Sequence, residues 1–370
     1  MNFVNTTLSE LEKLGLKRTL RIHSEELINY STNDYLGLST HPLVVKRAVE
    51  AVELFGTGSG GSRLMAGNLP LHEELEHRLA RLTGMETALV YGSGFLANTG
   101  VLTALAGRND TVFSDRLNHA SIVDGAITSR GKVCRYRHCD VQHLSDLINR
   151  ETGPGRKIII TESVFSMDGD IAPVRDICEV SRRNGCILVV DEAHATGVFG
   201  RGGGICSEKG VVPDVVTGTL SKALGSYGGF AACSRETREF LINKSRSFVY
   251  STGLPPASAG AAVGALQVIE SRQVAGSELV SRAMLFRECL KQAGFNTGNS
   301  ASQIIPVIAG GSSETVALSH SLENRGILAV AIRPPTVPEG YARLRFSVTL
   351  GHQLETLQNT VEEMRNLKWN

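Results

Sequence analysis

A lysine and an aspartate each follow a short apolar run in this sequence. Residues 186–190 lead into Asp191, with His194 three positions further on, and residues 214–218 lead to Lys222. A buried carboxylate is costly unless it meets a cation. A lysine in apolar surroundings can attack a carbonyl carbon and form a Schiff base. Singly, the aspartate also fits a helix cap or structural ion pair, and the lysine also fits a surface position.

Three further apolar runs end in residues of chemical interest. The run 87–91 opens into Gly92 to Asn98, GSGFLAN, a glycine-rich turn before a helix whose free N–H groups suit a phosphate. It lacks the lysine of a P-loop and the setting of a dinucleotide fingerprint. His119 follows the run 111–113, and Ser166 lies in a polar group after the run 157–161. A single histidine in such a position is ordinarily a core residue whose ring nitrogens have hydrogen-bond partners.

Together, the residues that follow these five apolar runs predict a site for pyridoxal phosphate, an aromatic aldehyde with a phosphate and a basic ring nitrogen. Lys222 would form the imine, Asp191 would hold the ring nitrogen protonated, and His194 would bond the ring hydroxyl. His119 would stack on the ring and is a candidate to assist the acyl step. Gly94, Phe95 and Thr219 would hold the phosphate.

The elements that must position these residues alternate between apolar strands and helices. Short, continuously apolar, β-branched runs are typical of strands covered on both faces. Strand–helix alternation predicts crossover connections and a mostly parallel central sheet, with ligands beyond the carboxyl ends of the strands. Residues 42–55 and 71–83 are predicted to be amphipathic helices, the second with a Glu74–Arg78 pair.

The pattern predicts an N-terminal arm (1–40), a large cofactor-binding domain (41–272) and a smaller α+β C-terminal domain (273–370). In the last domain, residues 304–308, 327–332 and 343–348 are predicted strands. The chain has 39 glycines among 370 residues, and they cluster at 56–67, 92–100, 197–204 and 225–229 rather than in a linker. Three of these clusters lie beside the proposed cofactor residues. Glycine permits sharp turns and close approach of the backbone to a ligand.

The composition of the chain argues against several classes of function. Lys plus Arg is 38 and Asp plus Glu is 37, so no basic field favours nucleic acid. The sequence contains no run of about 18 apolar residues, so it predicts no membrane-spanning helix. Seven cysteines without CxxC pairs argue against disulfides and structural zinc, and we expect no metal at the Cys134, His138 and Cys139 group. We expect a reduced, cytoplasmic protein.

These motifs resemble those of the α-oxoamine synthases, fold-type-I pyridoxal phosphate transferases of the α/β class. The matching segments, in order, are NDYLGLSTHP (33–42), GTGSGGSRLMAGN (56–68), GSGFLAN (92–98), DRLNHAS (115–121), ESVFSMDGD (162–170), DEAHATGVFG (191–200), TLSKALGSYGG (219–229) and STGLPP (251–256). The segment 331–338, AIRPPTVP, is similar to that of the members that act in biotin biosynthesis.

The resemblance implies condensation of L-alanine with pimeloyl-CoA or pimeloyl-acyl-carrier protein, in a homodimer with sites at the subunit interface. Another member of the family, such as glycine C-acetyltransferase, is the alternative. The resemblance adds Ser166 to the cofactor residues and assigns Thr336 and an arginine of the arm to the substrate. We prefer Arg18 to Arg21 for that arginine. His119 and Arg333 complete the expected substrate residues, and Ser251 or Thr252 would reach the partner's phosphate, with Thr252 preferred.

Overall fold

The computed structural model describes residues 2–271 and 275–367, which fall into two compact units. The smaller unit holds the described residues up to Asn33, Met167–Asp170, and those from Leu279 onward. The larger unit holds Asp34–Ser166 and Ile171–Glu278. The three-part division into 1–40, 41–272 and 273–370 stays a prediction. Among the described residues, none of the helices combines the length and apolar character needed to cross a membrane.

The larger unit is built on a seven-stranded sheet with the strand order β2-β8-β7-β6-β5-β3-β4. Its strands are β2 (Thr87–Tyr91), β3 (Thr111–Asp115), β4 (Lys132–Tyr136), β5 (Lys157–Glu162), β6 (Ile187–Asp191), β7 (Val215–Thr219) and β8 (Gly229–Cys233). Strands β4, β3, β5, β6 and β7 pair in parallel, and β8 is antiparallel to both neighbours. The predicted mostly parallel sheet is confirmed.

Helices accompany these strands along the chain. They are α2 (Pro42–Phe55), α3 (Pro70–Thr83), α4 (Gly94–Leu105), α5 (Ala120–Thr128), α6 (Val141–Arg150), α7 (Val174–Arg183), α8 (Ile205–Lys209), α9 (Arg235–Lys244), α10 (Arg246–Val249) and α11 (Pro256–Ser271), with 3₁₀ turns at Leu38–Thr40 and Gly200–Gly202. Buried aliphatic residues of α4 and α5 pack with those of β2, β3, β5, β6 and β7 in one core cluster. The predicted Glu74–Arg78 pair forms, with Arg78 Nε 3.1 Å from Glu74 Oε1.

The smaller unit contains short strands and helices from both ends of the chain. They are α1 (Asn2–Lys13), β1 (Ile28–Asn29), β9 (Ile304–Gly310), α13 (Ser312–Glu323), β10 (Ile327–Leu328), β11 (Ala331–Ile332), β12 (Ala342–Ser347) and α14 (Leu354–Arg365). Helix α12 (Ala275–Gln292) leads the chain into this unit. Strand β12 lies between β11 and β9, antiparallel to both, and β10 pairs in parallel with β1.

One predicted strand of this unit is wrong in extent. Residues 327–332 form the two separate strands β10 and β11 instead of one, and the two belong to different sheets. The apolar sequence ILAVAI is compatible with a continuous strand, but β10 takes β1 as its partner and β11 takes β12. Between the two strands the N–H of Val330 donates to the Ser31 hydroxyl at 3.1 Å instead of to a neighbouring strand, which interrupts the ladder.

Candidate active site

The last residues of several parallel strands meet at one edge of the large sheet. Asp191, the last residue of β6, is in register with Glu162 on β5 and with Thr217 on β7. Side chains in register on neighbouring strands leave the same face of a sheet, so the two carboxyl groups are close together. Lys222 follows β7 by three residues. The edge therefore collects acidic and basic groups, as the sequence predicts.

Asp191 is buried and bound by neutral donors. Asn98 Nδ2 on α4 donates to Asp191 Oδ2 at 2.7 Å, and the N–H of Ala193 donates to Oδ1 at 2.8 Å. The Asn98 amide is itself fixed, since the Thr217 hydroxyl donates to its oxygen at 2.6 Å. These contacts orient the carboxylate without neutralising it. A positively charged ring nitrogen is a suitable partner for it.

Lys222 and His194 are in direct contact. Lys222 Nζ lies 2.7 Å from His194 Nε2, and the hydroxyl of Tyr35 lies 2.7 Å from His194 Nδ1. Both His194 and Tyr35 are buried, whereas Lys222 is half-buried. An ammonium group has only donors, so Nε2 accepts from Lys222 and Nδ1 carries the proton toward the Tyr35 oxygen. The Tyr35 hydroxyl, which can donate or accept, is compatible with this tautomer.

His119 stands at the start of α5, where its ring accepts a hydrogen bond from the Ser121 N–H at 3.2 Å. Its Nδ1 also lies 2.8 Å from Ser121 Oγ. The pKa of the imidazole is lowered, chiefly because surrounding protein removes water from it, although part of the side chain remains exposed. The Asp191 charge opposes this shift and the Lys222 charge adds to it. A neutral ring held edge-on to its own helix is suited to stacking.

Glu162 links the loops that carry two of the predicted cofactor residues. Its Oε1 accepts from the N–H of His119 at 2.5 Å, and the N–H of Ser166 also donates to its carboxyl group. Burial raises the pKa of Glu162 to about 8, and the charge of Asp191 adds to the shift. The Lys222 ammonium group opposes it. Of two adjacent carboxyl groups in a buried site, one takes up a proton more easily.

The turn before α4 has the features of an anion site. The Ser93 hydroxyl accepts from the N–H of Leu96 at 3.1 Å, and the N–H groups of Gly94 and Phe95 lie in the first turn. A Cβ built on Gly94 would lie 3.2 Å from Thr219 Cβ, so the turn and the threonine are neighbours. A Cβ on Gly229 would lie 2.3 Å from the Ser93 oxygen. Only glycine there lets the turn approach β8.

The donor set fits pyridoxal phosphate. Backbone N–H groups of Gly94 and Phe95 match a phosphate, and a carboxylate and an amine lie at the same sheet edge. Their chemistry is complementary to an acidic phosphate, a basic ring nitrogen and an aldehyde. The Thr219 hydroxyl donates to the Gly228 carbonyl oxygen at 3.0 Å, and it would have to turn from this oxygen to donate to the phosphate. The residues that would hold the group are Gly94, Phe95, His119, Ser166, Asp191, His194, Thr219 and Lys222.

Thr252 lies apart from the contacts just described. It is exposed and forms an isolated antiparallel bridge with Ser62, and the next residue, Gly253, donates its N–H to Gly61 at 2.9 Å. The structure therefore joins the predicted segment 251–256 to the glycine-rich segment 56–68. Its predicted contact with a partner's phosphate stays a prediction.

The predicted substrate residues of the smaller unit lie near one another. Arg18 Nη2 donates to Thr336 Oγ1 at 3.3 Å, and the Arg333 guanidinium group donates to the carbonyl oxygen of Gly15. Arg21 instead pairs with Glu323, with Nη2 2.7 Å from Oε1. Arg21 is thus already occupied by a carboxylate, which favours Arg18 as the arm residue for the substrate.

Sequence reasoning missed Tyr35, Asn98 and Glu162 as functional residues. Each lies inside a segment that the sequence singled out: Tyr35 in NDYLGLSTHP, Asn98 at the end of GSGFLAN, and Glu162 at the start of ESVFSMDGD. The motifs therefore indicated the segments in which these three residues lie. The roles depend on contacts between residues far apart in the chain, for example Asn98 with Asp191.

Residues 25–364 match the family described as aminotransferase class I and II. The chain belongs to this family. Two of its relatives are 8-amino-7-oxononanoate synthases, from Geotalea daltonii and from Geobacter sulfurreducens. Both are 44% identical to the chain, over 97% of this chain and 96% of the relative. The predicted resemblance is confirmed.

Two solved structures share the fold. A variant of serine palmitoyltransferase from S. paucimobilis with a bound PLP–myriocin aldimine has a TM-score of 0.92 and 28% identity, over 98% of this chain and 96% of that chain. An 8-amino-7-oxononanoate synthase from Francisella tularensis has a TM-score of 0.81 and 26% identity, over 93% of this chain and 98% of that chain. The predicted fold class is confirmed.

Proposed function

We propose that this chain is a pyridoxal phosphate-dependent acyltransferase that condenses L-alanine with a pimeloyl thioester. The products are 8-amino-7-oxononanoate, CO2 and the free thiol, in biotin biosynthesis. The observation that carries the proposal is the contact of Lys222 with His194 at the sheet edge that also holds Asp191. The 44% identity to two 8-amino-7-oxononanoate synthases supports this substrate pair over that of glycine C-acetyltransferase.

Pyridoxal phosphate, when bound, supplies an electron sink that makes the α-carbon of the amino acid acidic. Asp191 would stabilise positive charge on the ring nitrogen, because its carboxylate is oriented by neutral donors, the amide of Asn98 and the N–H of Ala193, which do not neutralise it. The Lys222 amine removes the α-proton as general base. His194 Nε2, which contacts Lys222 Nζ at 2.7 Å in this structure, is the nitrogen that would bond the ring hydroxyl, since Nδ1 contacts Tyr35.

The net reaction joins the α-carbon of alanine to the acyl carbonyl carbon, releases the thiol, and loses the alanine carboxyl group as CO2. His119, whose pKa is lowered chiefly by burial, would stack on the ring and is the candidate to assist the acyl step in its neutral form. Arg18, Arg333 and Thr336 of the smaller unit bind substrate. A guanidinium group offers two parallel N–H donors that suit a carboxylate.

The resemblance to α-oxoamine synthases also supports a homodimer in which Ser251 or Thr252 contributes to the partner's phosphate site. Thr252 is exposed, as such a contact requires before assembly. Either coenzyme A or an acyl-carrier protein would deliver the pimeloyl group. We propose a cytoplasmic location, in keeping with seven free cysteines among the described residues.

The chemistry is tested with Lys222→Ala, with Lys46→Ala as control because the Lys46 side chain is 70% exposed on α2. Borohydride should fix the cofactor covalently to the wild type and to Lys46→Ala, but not to Lys222→Ala. Turnover of Lys222→Ala should fall by about 10⁴-fold, the upper range for a general acid–base group. Retention of both properties in Lys222→Ala would show that the role given to this lysine is wrong.

The substrates are tested by product analysis with the wild type. Alanine with pimeloyl-CoA should give 8-amino-7-oxononanoate, while glycine with acetyl-CoA should react far more slowly. A preference for the second pair would instead identify a glycine C-acetyltransferase. A panel of acyl-CoA lengths and acyl-carrier thioesters then defines the donor.

A further inference from the structure

A second group of chemically reactive side chains lies where β3 and β4 end. Asp115 closes β3, and His138 and Cys139 follow β4. We call these three residues the β3–β4 cluster. Their possible ligand atoms all lie within 4.8 Å of one another. They differ from the sequence group Cys134, His138 and Cys139, because Asp115 takes the place of Cys134.

Two distances within the β3–β4 cluster are close to those between ligands of one metal ion. His138 Nδ1 lies 3.0 Å from Asp115 Oδ1 and 3.8 Å from Cys139 Sγ. Zinc binds nitrogen and oxygen at about 2.0–2.2 Å and sulfur at about 2.3 Å with tetrahedral angles, which places neighbouring ligand atoms about 3.3–3.6 Å apart. Shifts of a few tenths of an ångström would bring these two distances to the tetrahedral values, and the third pair lies within 4.8 Å.

The surrounding chain fixes the cluster residues in these positions. Cys139 has a φ of +53°, a left-handed conformation that is uncommon for cysteine, and its N–H donates to Asp115 Oδ2 at 2.8 Å. The His138 ring meets the buried Phe165 ring edge-on, with centroids 4.4 Å apart. Asp115 is buried, while His138 and Cys139 are partly open to solvent. The fold therefore holds the three ligand residues in place, and solvent can reach the cluster from the side of His138 and Cys139.

We propose that the β3–β4 cluster binds one soft divalent cation of the Zn²⁺ type through Asp115, His138 Nδ1 and Cys139 Sγ. Thiolate with imidazole is the donor pair that selects such ions over Mg²⁺ or Ca²⁺. Binding replaces the proton of the Cys139 thiol, which passes to solvent. His138 Nδ1 gives up the proton it shares with Asp115, and the imidazole then carries its proton on Nε2. A water completes four ligands. None of the three residues belongs to the proposed cofactor or substrate set, so the site is independent of the proposed function.

The test uses the purified full chain, freed of metal with a chelator and then titrated with ZnCl2 or CoCl2. The variant is Cys139→Asn, because asparagine tolerates the left-handed conformation better than most residues and removes the thiolate. The wild type should bind one equivalent, and Co²⁺ should give a thiolate charge-transfer absorption. Because losing only an outer partner of a ligand costs about 10–100-fold in affinity, Cys139→Asn should bind at least about 100-fold more weakly.

Cys134→Ser serves as the matched control. Cys134 lies on β4 and is partly buried like Cys139, but its sulfur is outside the cluster. This variant should bind Zn²⁺ and give the cobalt absorption as the wild type does. Failure of the wild type to bind either ion, equal affinity in Cys139→Asn, or loss of binding in Cys134→Ser alone would each overturn the proposal.

Discussion

Two aspartates close parallel strands of the same sheet and have different surroundings. Asp115 ends β3, Asp191 ends β6, and both are buried. Asp191 accepts from an amide and a backbone N–H. Asp115 accepts from two backbone N–H groups, those of Leu117 and Cys139, and also contacts the imidazole of His138.

The difference lies in which partners can change their charge. The two hydrogen-bond donors described at Asp191 are neutral, so they orient the carboxylate and leave its charge for a cation. Asp115 already has a titratable partner in His138, so its charge serves either that ring or a metal ion shared with it. A buried carboxylate at a strand end therefore does not by itself define a cofactor site, because the donors around the carboxylate decide what it can bind.

Neutralising each aspartate gives the largest expected contrast. Asp191→Asn should lower kcat/KM by about 10²–10³-fold, the range for losing one group that stabilises developing charge. Asp115→Asn should lower it by less than about tenfold, because no proposed cofactor contact is lost. Steady-state kinetics at saturating cofactor, in buffer containing a chelator, measure both. Equal losses would mean that the two carboxylates do not differ in role as we infer.

The amide beside Asp191 provides the next test. Asn98→Ala removes the hydrogen bond to Asp191 Oδ2, and a bond to a charged group contributes about 1.5–3 kcal/mol. Cofactor affinity should therefore fall by about 10–100-fold, at about 1.4 kcal/mol per factor of ten. Titration of the apoprotein with pyridoxal phosphate measures this.

Asn243→Ala is the matched control for that test. Its amide donates only to the Glu239 carbonyl within α9, so cofactor affinity should stay at the wild-type value. If Asn98→Ala bound cofactor as tightly as this control, Asp191 would not depend on its neutral donor.

Much of the large sheet could be predicted from sequence because its central strands are continuous apolar runs. The strands that escaped prediction were β4 and β8. Strand β4 reads KVCRY at the edge of the sheet and is partly exposed, so its polar residues hide the pattern. Strand β8 reads GFAAC, and glycine and alanine have low strand propensity. Strand β8 is buried because β2 and β7 lie on either side of it, and the sequence of the strand itself does not reveal these neighbours.

The position of the candidate site could also be predicted, because ligands of parallel sheets bind beyond the carboxyl ends of the strands. Asp191, His194 and Lys222 are close in sequence to those ends. Tyr35 and Asn98 act through residues 159 and 93 positions away, His194 and Asp191 respectively. Residue type alone did not show which of the many polar residues would contact His194 and Asp191.

The smallest expected effect on turnover belongs to Glu162, the neighbour of Asp191 in register. Its pKa is raised to about 8 from an ordinary value of 4.5, chiefly by burial and then by the Asp191 charge. Between these pH values the folded protein holds one more proton here than the unfolded chain. Glu162 therefore contributes stability that is complete below about pH 4.5 and is lost as the pH rises through about 8.

Glu162→Gln keeps an acceptor oxygen for the N–H of His119 and stays neutral at every pH. The variant should lose the part of the pH dependence that comes from position 162. Its free energy of unfolding should fall less steeply than that of the wild type between pH 5 and pH 8, measured by urea denaturation. Turnover near pH 6, where the wild-type carboxyl is already protonated, should change by less than about threefold, since one neutral hydrogen bond replaces another. An unchanged slope would mean that Glu162 is ionised in the fold, and the carboxyl beside Asp191 would then need a cation of its own.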